Sequence, residues 1–222
     1  MPSPVLSALQ ETIARERVLT RPVDLIAFAS DASFYRLIPQ AVVLTKSVEE
    51  IQQLFRLSHA HRVPITFRAG GTSLSGQAVS DGVLVEVARH WGGLTVEDGG
   101  KRVRVQPGVI GARVNQVLRP FAAKMGPDPA SINACMMGGI LSNNSSGMCC
   151  GVEQNAYHTL ESLTFVLPSG TVIDTARPDA DRRLAEQEPK LWEGLRALRR
   201  RLLAQPALVD RIRAKYRMKN TT

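Results

Sequence analysis

Residues 41–77, AVVLTKSVEEIQQLFRLSHAHRVPITFRAGGTSLSGQ, decide the fold. The first five are apolar or β-branched and sit between Pro39 and Ser47, the pattern of a buried strand. Ser47 with Glu50 three residues on reads as a capping box, and Val48, Ile51, Leu54 and Phe55 follow at helical spacing. A helix from 48 to about 61 is predicted. Residues 63–68, VPITFR, predict a second strand. Strand, helix and strand in this order make a β-α-β unit with parallel strands and a right-handed crossover.

A loop of Gly, Ser and Thr, residues 69–77, leaves that second strand, which is where phosphate-binding loops occur. Consecutive glycines remove the Cβ atoms that would hold a ligand's oxygens away from backbone N–H groups. Successive N–H groups then form an anion-binding concavity, to which Thr72, Ser73 and Ser75 add hydroxyls. The loop has neither the Gly-Lys-Ser/Thr of a P-loop nor the GxGxxG spacing, so a flexible surface turn remains an alternative.

Further along, GVLVEV (82–87) and RVRVQPG (102–108) read as strands, and Val114, Val117 and Leu118 mark a helix over 111–120. Residues 160–176 read as a β-hairpin turning at Pro168-Ser169-Gly170. Two helices are predicted from 182 onward, one carrying Leu191, Leu195, Leu198 and Leu202, the other starting at Pro206. Near the N-terminus, Leu6, Leu9, Ile13 and Val18 mark an amphipathic stretch. Residues 126–151 are too long and too rich in Gly, Asn, Ser and Pro for a plain connection. There, Met136, Met137, Ile140 and Leu141 stand among small amide and hydroxyl donors, a mixture suited to a flat heterocycle with a phosphate chain. A buried short helix with polar caps is the competing reading.

Taken together, the two segments resemble the PCMH-type (vanillyl-alcohol oxidase type) FAD-binding family, over about residues 36–222. The matching features are residues 39–43, residues 64–76, Val105-Gln106-Pro107-Gly108, residues 127–131, the run from Gly138-Gly139 to Gly147, and the hairpin at 160–175. Gly126-Pro127-Asp128-Pro129-Ala130-Ser131, with the ending KYRMKNTT (215–222), looks like the D-lactate and D-2-hydroxyglutarate dehydrogenase branch.

The resemblance implies an α+β fold: a PCMH-type FAD-binding domain of two α+β subdomains, C-terminally incomplete. The expected layout is an N-terminal helical extension (1–35), a first FAD subdomain (36–110) and a truncated second one (111–222). It places the pyrophosphate loop on Arg68, Ala69, Gly70, Gly71, Thr72, Ser73, Gly76 and Gln77. A second contact group falls on Ser131, Gly138, Asn143, Ser145 and Gly147, and Lys219 is a candidate substrate contact. Members with covalent flavin carry a His where this chain has Thr72, so FAD is expected to be non-covalent. The implied activity is oxidation of a D-2-hydroxyacid such as D-lactate or D-2-hydroxyglutarate. The carboxylate clamp and base would come from a cap domain, on this chain or a separate one, and some relatives carry an iron–sulfur module. No catalytic residue is expected within this chain. A truncated, inactive remnant serving as a binding or interaction module is the alternative.

Composition narrows the remaining classes. With 44% hydrophobic and 22% charged residues among 222, the chain is ordinary globular protein. No apolar run reaches the length of a membrane span. The net charge of +8 is local: residues 177–222 hold 13 Lys and Arg against 6 Asp and Glu, the rest 15 against 14. That basic segment lacks stacking aromatics or a nucleic-acid motif, so Arg199-Arg200-Arg201 read as a solvated or partner-facing helix surface. Cys135, Cys149 and Cys150 form no metal or disulfide pattern; the vicinal pair is expected as buried small hydrophobes in a reducing compartment. His59, His61, His90 and His158 are scattered, with His158 alone near the second glycine segment, and no metal site is expected. The location expected is cytoplasmic, with attachment to the inner face of the membrane left open.

Overall fold

The computed structural model describes residues 4–217 and is α+β, so the substrate contact expected on Lys219 lies outside the described residues. The first sheet contains β1 (Val18–Leu19), β2 (Ala41–Leu44), β3 (Ile65–Arg68) and β4 (Val83–Glu86), in the order β1-β2-β4-β3. β2, β4 and β3 run parallel, and β1 is antiparallel to β2. The β-α-β unit read from the sequence is present, with β4 inserted between its two strands. Every residue of β2 and β4 is buried, as expected of parallel strands covered on both faces.

α1 (Pro4–Thr12) and α3 (Val48–His61) cover one face, where Val5, Leu9, Ile13, Ile51 and Leu54 pack on Ala41, Val43, Val83 and Val85. On the other face Val42, Leu44 and Leu84 meet Leu25 of α2 (Pro22–Ala27) and Phe28. Residues before 35 therefore share the first core with the sheet.

α3 starts at Ser47, whose Oγ accepts the Glu50 N–H at 3.3 Å, and ends at Arg62 in left-handed conformation (φ 52°). Only this half of the capping box forms. The Glu50 carboxylate turns instead to Arg17 (2.7 and 2.8 Å) and the Lys46 N–H (2.9 Å), because β1 brings Arg17 alongside.

A second core is built on α4 (Gly111–Leu118) and α5 (Met137–Ser142), with Val109, Val114, Leu118, Met125, Met137 and Ile140 buried. Strands β5 (Leu94–Glu97) and β6 (Arg102–Val105) pair as a hairpin and pack on it through Leu94, Val96, Val103 and Val105. Leu94, Val96, Val103 and Val105, along with Val109, thus pack in this second core with residues beyond 110. β5 was not apparent in the sequence: four residues show a strand pattern only once RVRV lies opposite. α5 is the buried short helix of the competing reading, formed although Gly138 and Gly139 lower helix propensity by about 1 kcal/mol each.

β7 (Thr164–Val166) and β8 (Val172–Asp174) form the expected hairpin, tied to α3 by Gln52 Nε2 donating to the Gly170 carbonyl at 2.6 Å. Three helices rather than two then follow: α6 (Ala180–Gln187), α7 (Pro189–Leu203) and α8 (Pro206–Lys215). Pro189 separates the first two, since a proline ring forces the preceding residue, Glu188 (ψ 56°), out of helical conformation. None of the three buries a residue, and Leu191, Leu195, Leu198 and Leu202 are exposed along one face of α7.

Candidate functional site

In the parallel pairing Leu44, Glu86 and Arg68 are the last residues of neighbouring strands, and the 69–77 loop leaves from that edge. Crevices at the carboxyl ends of parallel strands are where α/β sheets bind ligands. The backbone N–H groups of Gly70, Gly71, Thr72, Ser73 and Leu74 donate to no described residue. Gly71 (φ 63°) and Gly76 (φ 71°) are left-handed, a backbone that turns successive N–H groups into a concavity. The Ser73 hydroxyl is used within the loop, accepting from the N–H groups of Ser75 (3.1 Å) and Gln77 (3.2 Å) and donating to Gln77 Oε1 (3.1 Å).

Arg68 does not reach outward. Its Nη1 donates to the carbonyls of Ser30 (2.8 Å), Phe28 (3.2 Å) and Ala78 (3.3 Å), and a Cβ on Gly71 would lie 2.6 Å from its Nη2. Burial lowers the basicity of this guanidinium, and Asp31 and Glu86 act in the opposite direction. Asp31 was missed in the sequence, although Asp-Ala-Ser is a common turn pattern. Its Oδ1 accepts from Ser33 and its Oδ2 from the Ala78 N–H at 3.3 Å. Burial pushes this carboxyl up, but those hydrogen bonds and the Arg68 charge outweigh it and hold it below the ordinary range.

The second glycine segment closes on the first. A Cβ on Gly70 would meet the Ala134 carbonyl at 2.7 Å, and within the second segment the Asp128 N–H donates to the Ser146 carbonyl at 2.7 Å. Gly138 packs on Pro107, and Gly147 (φ 77°) lies under the Asp128 carbonyl, leaving neither position room for a side chain. Gly139 faces open space at the exposed side of α5. Asn143 Nδ2 donates to Ser145 Oγ at 3.1 Å, while Ser131 is exposed. The short helix of the competing reading is present and buries Met137 and Ile140, with Ser131 and Asn143 exposed beside it. His158 is exposed, its Nδ1 on the Val152 carbonyl. Cys150 is buried as expected, but Cys149 is exposed. Among the described residues no cluster of His, Cys, Asp or Glu could hold a metal ion, and no helix is long and apolar enough to cross a membrane.

A row of free N–H groups from Gly70 to Leu74, turned at left-handed Gly71, fits a pyrophosphate, and the amide-lined second segment beside it fits the rest of a dinucleotide. These are the features of a flavin-nucleotide domain. The chain belongs to the FAD binding domain family, whose model matches residues 39–176, and FAD is its cofactor. It is 37% identical over 149 residues to the glycolate oxidase subunit GlcD of Escherichia coli K12, covering 66% of this chain and 30% of that protein. It is 32% identical to the D-2-hydroxyglutarate dehydrogenase of the same strain, covering 70% of this chain and 16% of that protein. The chain thus spans less than a third of the length of these relatives. An alkyldihydroxyacetonephosphate synthase structure shares the fold at TM-score 0.67 and 20% identity, covering 81% of this chain and 37% of that one.

Proposed function

We propose that this chain is the FAD-holding part of a flavin-dependent oxidoreductase that oxidises a D-2-hydroxyacid, D-lactate or D-2-hydroxyglutarate being the substrates tested first. The observation that carries this reading is the junction of the two glycine segments at the strand edge, where Gly70 packs against the Ala134 carbonyl and Cys135. The names of the relatives, a glycolate oxidase subunit and a D-2-hydroxyglutarate dehydrogenase, support the substrate class. Bound FAD supplies the hydride acceptor in such a reaction. Gly70, Gly71 and Thr72 offer N–H groups to its pyrophosphate, and Ser131, Asn143 and Ser145 offer polar groups to the remainder. The Thr72 side chain stands where covalent members carry His and has no ring nitrogen to form that linkage, so the cofactor is held without a covalent bond. Clamping the substrate carboxylate and accepting the hydroxyl proton fall to a cap domain or a second chain, because the described site contains no cation–base pair arranged for them.

The test is a visible spectrum and dye reduction with D-lactate and D-2-hydroxyglutarate, on the 222-residue chain and on the protein carrying a cap domain. Flavin bands with turnover by the larger protein alone support the reading. Robust turnover by the 222-residue chain refutes the division of labour. Flavin with no turnover of any 2-hydroxyacid refutes the substrate class, and absence of flavin favours an interaction module.

A further inference from the structure

Residues 28–33 cross behind the glycine loop and are stitched to it at several points. The Ala32 N–H donates to the Gly71 carbonyl at 3.0 Å, Asp31 accepts from the Ala78 N–H, and Arg68 donates to the carbonyls of Phe28 and Ser30. The guanidinium also lies 5.5 Å from the centre of the Phe28 ring. A trans peptide points its C=O and the following N–H in opposite directions. Drawing the Gly71 carbonyl onto the strap therefore turns the Thr72 N–H away from the strap, toward the open side of the loop.

We propose that this segment is a strap that sets the pyrophosphate loop from behind, with Asp31 and Arg68 as positioning residues that never touch FAD. The proposal rests on the FAD reading above and adds a second layer to it. Residues 69–77 contain three glycines and would otherwise sample many conformations. Arg68 fills the space a Cβ on Gly71 would need, while Asp31 fixes the exit of the loop at Ala78, so both ends of the nest are held.

A purely electrostatic role makes different predictions. Asp31 and Glu86 are negative, and a carboxylate near a pyrophosphate repels it. If charge alone mattered, Asp31→Ala would tighten FAD and Arg68→Lys would leave it unchanged. A strap predicts the reverse sign for the first and a loss for the second, since a lysine lacks the planar group that packs against Gly71 and the Phe28 ring.

The experiment is FAD titration of the apo form of the full-length protein by flavin fluorescence, with amide hydrogen exchange on the same samples. Asp31→Ala and Arg68→Lys should each raise the FAD Kd at least tenfold and speed exchange at Ala32 and Ala78. Asp31→Asn, which keeps one acceptor oxygen and the size of the side chain, should fall between wild type and Asp31→Ala, and serves if the alanine variant does not fold. Wild-type affinity in Asp31→Asn and Arg68→Lys, or tighter binding by Asp31→Ala, overturns the strap. A wild-type protein that takes up no FAD overturns the flavin reading and the strap with it, and is recognised because the defect precedes any substitution.

Discussion

Replacing Gly71 by valine should abolish FAD binding while leaving the fold in place. Gly71 has φ 63°, a region that costs an L-residue about 1–2 kcal/mol and a β-branched one more. A Cβ there would lie 2.6–2.8 Å from Nη2, Cζ and Nε of Arg68, so the guanidinium has to leave its carbonyl partners. Losing even one hydrogen bond of a charged donor costs about 1.5–3 kcal/mol. The free protein escapes this strain by letting the loop relax, and FAD binding then has to restore the loop. The sum is about 3–5 kcal/mol, or at least ~100-fold in Kd at about 1.4 kcal/mol per decade. Ser80→Ala is the control: its Oγ accepts only from the Gly82 N–H at 3.0 Å, and FAD affinity should stay within about twofold, since that bond contributes only about 1 kcal/mol to the fold. Titration of both apoproteins by flavin fluorescence, with circular dichroism to verify folding, gives the comparison. Equal affinities would refute the loop assignment.

Two further outcomes concern the scaffold. Glu50→Gln removes a mostly buried carboxylate that accepts from Arg17 and Lys46, and should cost about 3 kcal/mol in chemical denaturation. Burial pushes the Glu50 carboxyl up, but Arg17 and the Lys46 N–H outweigh it, so its folded value lies below the unfolded one. Its contribution is therefore complete above the unfolded pKa of about 4.3 and fades as pH falls through the folded value. The gap between wild type and Glu50→Gln should narrow below about pH 4 by that linkage, and a gap independent of pH would count against it. Of the three cysteines, Cys149 alone is exposed, so a thiol reagent should label one site quickly in the native protein and all three after unfolding. Rapid native labelling at Cys135 or Cys150 would contradict the second core.

The first sheet was legible because its strands and α3 carry their signals locally. AVVL is short and wholly apolar, Ser47 caps the helix, and Pro64 and Gly70 bound the next strand. The glycine loop could be read as an anion site because a missing side chain is visible in sequence. Tertiary structure alone decided the rest. β4 lies between β2 and β3, and pairing order depends on contacts between distant segments. The β5–β6 hairpin joined the second core, and Glu50 left its capping box for Arg17, both through neighbours brought together by the chain's path. Arg68 shows the distinction within one residue. The family resemblance counted it among the pyrophosphate-loop residues, whereas the direction of its long side chain is set by available acceptors. Those acceptors, on Phe28, Ser30 and Ala78, are separated from it by 40, 38 and 10 residues, and only the folded chain puts them within reach.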